Sequence, residues 1–306
     1  MQVFKSLKEV PETSDYGLTI GNFDGVHIGH QKLLKQIKEE CRQKGLKLIV
    51  VTFVPHPLAI LRNEKSFLLN TYEERKVLLR NLGIEFLVEL PFTRDFSTLT
   101  PANFLDQHIL INDHLKLFFL GYDFAFGANK EGDHSFVADY CKGRSLEVIV
   151  QKKVETDVGT YSSSLARKFL SEGDPEGANS ILGRPFFLKG RVIKGAGRGR
   201  QIGFPTANIE FDFSRITPQK GVYSTICTFR GCDYLSITNI GNNPTFNNND
   251  ALNVETNIFD FDQDIYGEEI QVNFYKKIRE EKKFNSVNEL IAQISKDVAQ
   301  RRSFGA

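Results

Sequence analysis

Apolar positions in the first half of this 306-residue chain switch repeatedly between strand and helix spacing. Leu18-Thr19-Ile20 reads as a short strand ending at Gly21. Leu33, Leu34, Ile37 and Cys41 then share one face at helical spacing, which predicts a helix to about Lys44. Leu48 to Phe53 is a continuous apolar run rich in β-branched residues, as expected of a parallel strand buried on both faces. Thr71 with Glu74 three residues on forms a capping box that opens another helix. Phe86 to Leu90 returns as a strand, and Thr100-Pro101 opens a helix with Pro at its first position. Leu117 to Leu120 and Leu146 to Val150 supply further strands. This alternation predicts an open parallel sheet with helices on both faces, a Rossmann-like α/β domain.

The pattern changes after about Gly183. Phe187 to Ile193, Val222 to Phe229, Tyr234 to Ile240, Val254 to Phe259 and Ile270 to Phe274 are short strands separated by turn residues. Gly231-Cys232-Asp233 and Asn247-Asn248-Asn249-Asp250 are two such turns. Short strands with regular turn punctuation predict an antiparallel barrel or sandwich. One helix closes the chain, capped by Ser286 and Glu289, with Leu290, Ile291, Ile294 and Val298 as its buried stripe. The fold class is therefore α/β followed by a small β domain with a C-terminal helix. The boundary falls within Gly173 to Gly177 or just beyond it at Gly183-Arg184-Pro185, which divides the chain as 1–182 and 183–306.

Composition narrows the function classes. Net charge is +1, so no broad field draws the chain to nucleic acid or a membrane. Any polyanion must be gripped locally, which points to small phosphorylated ligands. No apolar run is long enough to span a bilayer, and residues 1–13 lack a signal-peptide core. Cys41, Cys141, Cys227 and Cys232 form neither a C-x-x-C pair nor a metal-ligand spacing, and read as reduced core fillers of a cytoplasmic protein.

The first candidate site is Gly21-Asn22-Phe23-Asp24-Gly25-Val26-His27-Ile28-Gly29-His30, between a strand and a helix. Glycines allow close backbone approach, and the helix N-terminus offers unpaired N–H donors to a phosphate. His27 and His30, three residues apart, project from the same side of the helix. Together they can grip a triphosphate and stabilise charge at the α-phosphorus. A lone His-x-x-His is more often a cap with incidental histidines, or a metal pair. The long string in the right context favours phosphate, and the absence of a Walker loop rules out P-loop chemistry.

Ser163 and Ser164, at the start of a helix, can cap it and donate to phosphate, while Arg167 offers a bidentate fork. Phe53 and Phe126 fit either a planar ligand ring or the core, with about equal weight. The second candidate site is Gly190 to Asn208. Gly195, Gly197, Gly199 and Arg200 form a loop able to wrap phosphates through its N–H groups. A dinucleotide fingerprint fails there, because Gln201 to Asn208 follows instead of an amphipathic helix. Thr206 and Asn208 offer oxygens that suit Mg²⁺ when nucleotide phosphates complete its shell.

These motifs carry a resemblance. The Gly21–His30 string resembles the nucleotidyltransferase H-x-G-H motif of bacterial FAD synthetases. Thr52-Phe53-Val54-Pro55-His56-Pro57 is similar to that family's F-x-P-H-P loop, and Gly121-Tyr122-Asp123-Phe124-Ala125-Phe126-Gly127 to its G-x-D-F-x-F-G. Ser162 to Arg167 is similar to S-S-T-x-I-R, with Ser164 where Thr is usual and Ala166 where Ile is usual. The run from Gly190 to Asn208 looks like riboflavin kinase. The likeness continues through Gly221-Val222-Tyr223, Asn239 to Phe246, Val254-Glu255-Thr256 and Tyr266-Gly267.

The order matches the bacterial bifunctional riboflavin kinase/FMN adenylyltransferase family over nearly the whole chain. The resemblance implies a barrel as the second domain, and riboflavin, FMN, FAD and ATP as ligands; weak self-association is a further expectation, with the oligomeric state left open. It implies Glu255 as the base accepting the proton of riboflavin's ribityl 5′-hydroxyl, and Arg279 with Phe284 on a flavin-side loop. Gly21, Phe23, Asp24, Gly25 and Asp123 fall within its cofactor-binding motifs. Two alternatives remain: a riboflavin kinase with a decayed first domain, or a non-enzymatic flavin sensor.

Overall fold

The computed structural model describes residues 1–11, 13–152, 155–156, 159–195, 197–242 and 252–305. They group into two compact units, residues 1–162 and 163–306.

In the first unit, six parallel strands are found among the described residues. They are β1 (Gln2–Phe4), β2 (Tyr16–Ile20), β3 (Lys47–Val54), β4 (Phe86–Pro91), β5 (Leu115–Gly121) and β6 (Glu147–Gln151), in the order β1-β4-β3-β2-β5-β6. Helix α1 (Ile28–Gln43) links β2 to β3, and α2 (Tyr72–Asn81) lies between β3 and β4. Leu34, Ile37 and Cys41 of α1 and Leu79 of α2 pack with Val50, Leu87, Leu117 and Phe119 on one face. Ile49, Val51, Val88, Phe118 and Leu120 bury the other face against Phe104, Leu105 and Ile109. The apolar runs of the central strands are thus consumed on both sides. The three-residue edge strand β1 is too short for the sequence pattern to reveal. Consecutive strands leave β2 in one direction, and β5 lies on its other side. The chain reverses at β2, so a switch point opens at the carboxyl ends of β2 and β5.

The second unit begins with α3 (Ser163–Ser171) and α4 (Pro175–Leu182). Asp174 caps α4 by accepting from the Gly177 N–H at 2.8 Å. Asn179 ties α4 to the following strands, donating to the Phe274 carbonyl at 2.8 Å and accepting from the Phe186 N–H at 2.7 Å. The Gln219 N–H reaches the Leu170 carbonyl at 2.9 Å. Residues 163–182 therefore pack with the β domain that follows them. That domain is a closed antiparallel barrel of β7 (Phe186–Ile193), β8 (Ala207–Phe211), β9 (Gly221–Phe229), β10 (Cys232–Asn242), β11 (Leu252–Ile258) and β12 (Glu269–Arg279). Its order is β7-β8-β11-β10-β9-β12, and closure removes the exposed edges that an open sheet would leave. A sandwich is thereby excluded.

The barrel interior combines Leu188, Val254, Val272 and Phe274 with fully buried hydroxyls of Thr225, Ser236, Thr238 and Thr256. The hydroxyls satisfy one another in a chain: Thr225–Ser236 at 2.8 Å, Thr225–Thr238 and Thr238–Thr256 both at 2.9 Å.

Helix α5 (Val287–Ser303) closes the chain and departs from its expected burial. Leu290, Ile291, Ile294 and Val298 are only half-buried, whereas Asp297 and Arg301 are the buried positions. The reason is pairing. Asp297 receives Arg279 Nε at 2.9 Å and Gln293 Nε2 at 2.8 Å, and Arg301 Nε donates to the Thr225 carbonyl at 3.1 Å. Cys232 also departs from the reading as core filler: it lies exposed on the β9–β10 hairpin, while Cys41, Cys141 and Cys227 are buried. Burial pushes the Cys41 thiol up to about 11 and that of Cys227 up to about 12, so neither is a nucleophile near neutrality.

Candidate active sites

The Gly21–His30 segment leaves β2 at the switch point. The Gly21 N–H still bonds the Val51 carbonyl at 3.0 Å, continuing the parallel ladder. Past Gly21 the ladder ends. Phe23 and Val26 take positive φ, 48° and 38°, and the chain turns tightly through Asp24–Val26. Phe23 is buried, with its ring edge-on to His30 at 5.1 Å. Asp24 is buried too, and both its oxygens accept from the Leu69 N–H, at 3.1 and 3.2 Å. These two side chains thus set the loop's shape from within the fold.

His27 is the N-cap of α1. Its Nδ1 accepts from the His30 N–H at 3.3 Å, which puts the ring proton on Nε2. The two imidazoles stack with centroids 3.6 Å apart, as two residues on one side of a helix head should. Burial, then the neighbouring His27, holds His30 well below its ordinary value, so it is neutral at pH 7. His30 Nδ1 is buried with no hydrogen-bond partner, and so is Asn22 Oδ1 in the same loop. Buried polar atoms without partners are rare, and two beside a helix N-terminus mark a place where a ligand supplies the missing bonds. Tyr161 approaches the same turn: a Cβ on Gly29 would lie 3.1 Å from both Tyr161 Cβ and His27 Nδ1.

The other segments singled out in the first unit follow the ends of β3 and β5. Phe53 is half-buried, edge-on to Phe92 at 5.6 Å and to Phe96 at 5.9 Å. Phe126 is buried among Phe104, Phe124 and Phe136. Asp123 is exposed in the turn after β5. Ser163 and Ser164 are the first two residues of α3 rather than its cap, and Arg167 lies in the following turn, half-buried. These three belong to the second unit. Ala166 is fully buried there, so its small size is accommodated by close packing.

In the barrel, the loop between β7 and β8 carries Gly195, Gly197 (φ 68°), Gly199 and Arg200, all at or near the surface. Ala196 lies outside the described residues, as do Asn243 to Phe246 and the Asn247–Asp250 turn. A Cβ on Gly195 would come within 2.1 Å of Asn208 Nδ2, so only glycine lets the loop close onto that side chain.

Register then assembles the remaining groups. Asn208 faces Glu255 across the β8–β11 ladder, and Glu255 faces Asn239 across β10–β11. Cross-strand partners share a face. Thr206 Oγ1 donates to Glu255 Oε2 at 3.4 Å, and Asn253 Nδ2 to Oε1 at 2.6 Å. Thr206, Asn208, Glu255 and the glycine loop are therefore one site. Thr206 and Asn208 bring neutral, hard oxygen donors beside a carboxylate, a set that fits Mg²⁺ shared with nucleotide phosphates. Arg279 is engaged elsewhere, with Nε and Nη2 both on Asp297 and its guanidinium 5.8 Å from the Phe284 ring centroid.

Sequence reasoning gave Asn22 no role of its own within the first segment, and missed Tyr161, Asn253 and the Arg75–Glu89 pair behind the first loop. Only for Arg75 was there a signal, a cation on the apolar stripe of α2 four residues before Leu79.

A nucleotide-binding parallel sheet followed by a barrel with its own phosphate loop defines a two-domain, nucleotide-using transferase. A family model described as FAD synthetase matches residues 10–165, and one described as riboflavin kinase matches residues 182–304. The chain belongs to the bifunctional riboflavin kinase/FMN adenylyltransferase family. It is 40% identical to the protein of that description from Listeria monocytogenes, over 94% of this chain and 92% of the relative. It is 40% identical to the Bacillus subtilis protein, over 92% and 89%, and 34% identical to that of Escherichia coli, over 99% and 98%. A crystal structure described as a macrolide-efflux protein from Streptococcus pneumoniae is 32% identical, covers 98% of both chains and superposes with a TM-score of 0.88. No helix among the described residues is long and apolar enough to cross a membrane.

Proposed function

We propose that this chain makes FAD in two steps at two separate sites, phosphorylating riboflavin to FMN in the barrel and adenylylating FMN in the sheet domain. The observation that carries the reading is the pair of independent sites: stacked histidines with an unpartnered Nδ1, and Thr206, Asn208 and Glu255 brought together beside a glycine loop.

In the sheet domain, FMN's phosphate oxygen attacks the α-phosphorus of ATP, and the bond to the β-phosphate oxygen breaks to release pyrophosphate. That phosphate is already a competent nucleophile at pH 7, so no strong base is needed. His27 donates through Nε2–H, the tautomer that its bond from the His30 N–H enforces. His30, its Nδ1 buried, is neutral in the free protein, and the negative charge of a bound triphosphate favours its protonation. A donor placed at developing charge contributes about 2.7–4 kcal/mol. The motif assigns Ser163, Ser164 and Arg167 to the ATP phosphates, and Gly21, Gly25, Asp123, Phe53 and Phe126 to the nucleotide and flavin surroundings.

In the barrel, Glu255 accepts the proton of the ribityl 5′-hydroxyl as the hydroxyl oxygen attacks the γ-phosphorus, and the bond from that phosphorus to the β–γ bridging oxygen breaks to release ADP. Thr206 and Asn253 hold the two oxygens of that carboxylate, which orients it before substrate arrives. Bound Mg²⁺, held by Thr206 and Asn208, would neutralise phosphate charge. Gly195, Gly197 and Gly199 bring backbone N–H groups to the phosphates, with Arg200 at the rim. Positioning and electrostatics carry such transfers. Arg279 serves the flavin side indirectly, by fixing the start of the 280–285 loop against Asp297. The four free thiols and the ATP requirement support a cytoplasmic enzyme.

Incubation with riboflavin, Mg²⁺ and ATP, with flavins separated over time, tests the reading. FMN should accumulate first and FAD follow. FMN alone means a decayed adenylylation site, and no ATP consumption means a flavin sensor.

A further inference from the structure

The half-buried Asn22 carbonyl lies one residue beyond the last ladder bond of β2, where the acceptor needs another donor. It receives two: Thr52 Oγ1 at 3.3 Å and Arg75 Nη1 at 3.0 Å. Thr52 sits opposite Glu89 in the β3–β4 register, and Arg75 Nη2 reaches Glu89 Oε1 at 3.3 Å. The guanidinium therefore spans a row of three adjacent strand ends. It also lies over the Tyr72 ring at 5.1 Å, and the Tyr72 hydroxyl accepts from the His56 N–H at 2.8 Å. Arg75 and Glu89 are 2% and 1% exposed. Lys5 and Lys76 also reach Glu89, at 3.0 and 3.5 Å.

An arginine on the buried stripe of a ten-residue helix is a poor way to gain stability, because desolvating the pair offsets its attraction. Its value is geometric. Its planar group bonds the Gly21–His27 loop directly and meets the Tyr72 ring, whose hydroxyl accepts from the Pro55–Pro57 loop. We propose that Arg75 is the positioning residue of the adenylylation site, setting the loop that carries Asn22, His27 and His30 at the spacing the α-phosphorus requires. This rests on the sheet domain being the adenylylation site.

The test uses the full chain, with riboflavin phosphorylation measured in the same preparations. Arg75→Met leaves the buried Glu89 with only Lys5 and Lys76, so a second variant, Arg75→Met with Glu89→Leu, removes the carboxylate as well. The double variant should regain the wild-type melting temperature while adenylylation kcat stays low by roughly 10²-fold, the usual cost of about 1 Å of misplacement. Its KM for ATP should rise, which a partly unfolded but otherwise normal population would not produce. Arg75→Lys, keeping charge but losing the planar fork, should fall between wild type and the double variant. A stable double variant with wild-type kcat and KM for ATP overturns the proposal and reduces Arg75 to a structural part. Wild-type chain that makes no FAD from FMN and ATP would instead refute the site assignment itself.

Discussion

The two proposed phosphate sites are built on opposite principles. The sheet-domain site is pre-formed, with a buried His27, a neutral His30 and two polar atoms without partners. The barrel site is open, with an exposed glycine loop, neutral oxygens from Thr206 and Asn208, and a half-buried Glu255 steadied by two donors. The difference follows from what each scaffold provides. A parallel sheet ends in a crevice at its switch point, where a helix head and buried side chains surround the ligand. A closed barrel has no crevice, so its phosphates must be met on the outside by a loop. Buried imidazoles suit charge that builds on an α-phosphorus. The outer site instead needs an oriented carboxylate and oxygens for a metal-bound nucleotide.

Substitutions that strike one site should separate the two activities. Glu255→Gln removes the proton acceptor but keeps its shape, and kinase turnover should fall by about 10²–10⁴-fold, the usual worth of a general base. FMN-to-FAD conversion, measured in the same preparation, should be nearly unchanged; equal loss of both would merge the sites. His30→Ala should lower adenylylation by about 10²–10³-fold with kinase turnover preserved. An unchanged adenylylation rate would take His30 out of the mechanism.

Gly195→Ala is a milder challenge to the open site. The added methyl meets Asn208, so either the loop or Asn208 must shift, and kinase kcat/KM should drop roughly tenfold, within the cost of a small misplacement. Wild-type kinetics in that variant would mean that the loop is not fixed against Asn208 during turnover.

The smallest effect is on stability. His30 is held below its ordinary value of 6.5 in the folded chain, so below that pH the unfolded chain binds a proton that the folded one refuses. Stability of the ligand-free sheet domain should therefore fall as pH drops below 6.5, by at most about 1.4 kcal/mol per pH unit from this group. Denaturant titrations at pH 5.5 and 7.5, roughly one unit either side of the usual histidine value, should show His30→Gln flattening that slope. The barrel, lacking a buried histidine among its described residues, should show no such contribution.

Elements whose cause is local were legible in the chain. The Thr71–Glu74 capping box forms as expected, with Glu74 N–H on Thr71 Oγ1 at 3.1 Å and Thr71 N–H on Glu74 Oε2 at 2.7 Å. The apolar stripe of α1 and the doubly buried run of β3 were equally readable, because helix period and strand burial are written in consecutive residues. The motifs singled out the loops proposed to carry chemistry, since glycines, histidines and the Thr-x-Asn pair stand out by type and spacing. Roles that depend on a distant partner were not readable. Asp24 serves the Leu69 backbone, 45 residues away, and Asp297 is buried in a helix because Arg279 meets it.

The sequence by itself determined the two-domain order, the helix caps and the central strands, all of which follow from short-range preferences. Only the tertiary structure decided that the barrel closes and that Asn208 stands opposite Glu255. It alone placed Arg75 beneath the loop that holds His27. Those facts depend on which strands become neighbours and in what register. That pairing comes from long-range burial, so residues far apart in the chain acquire their chemistry only after the fold has formed.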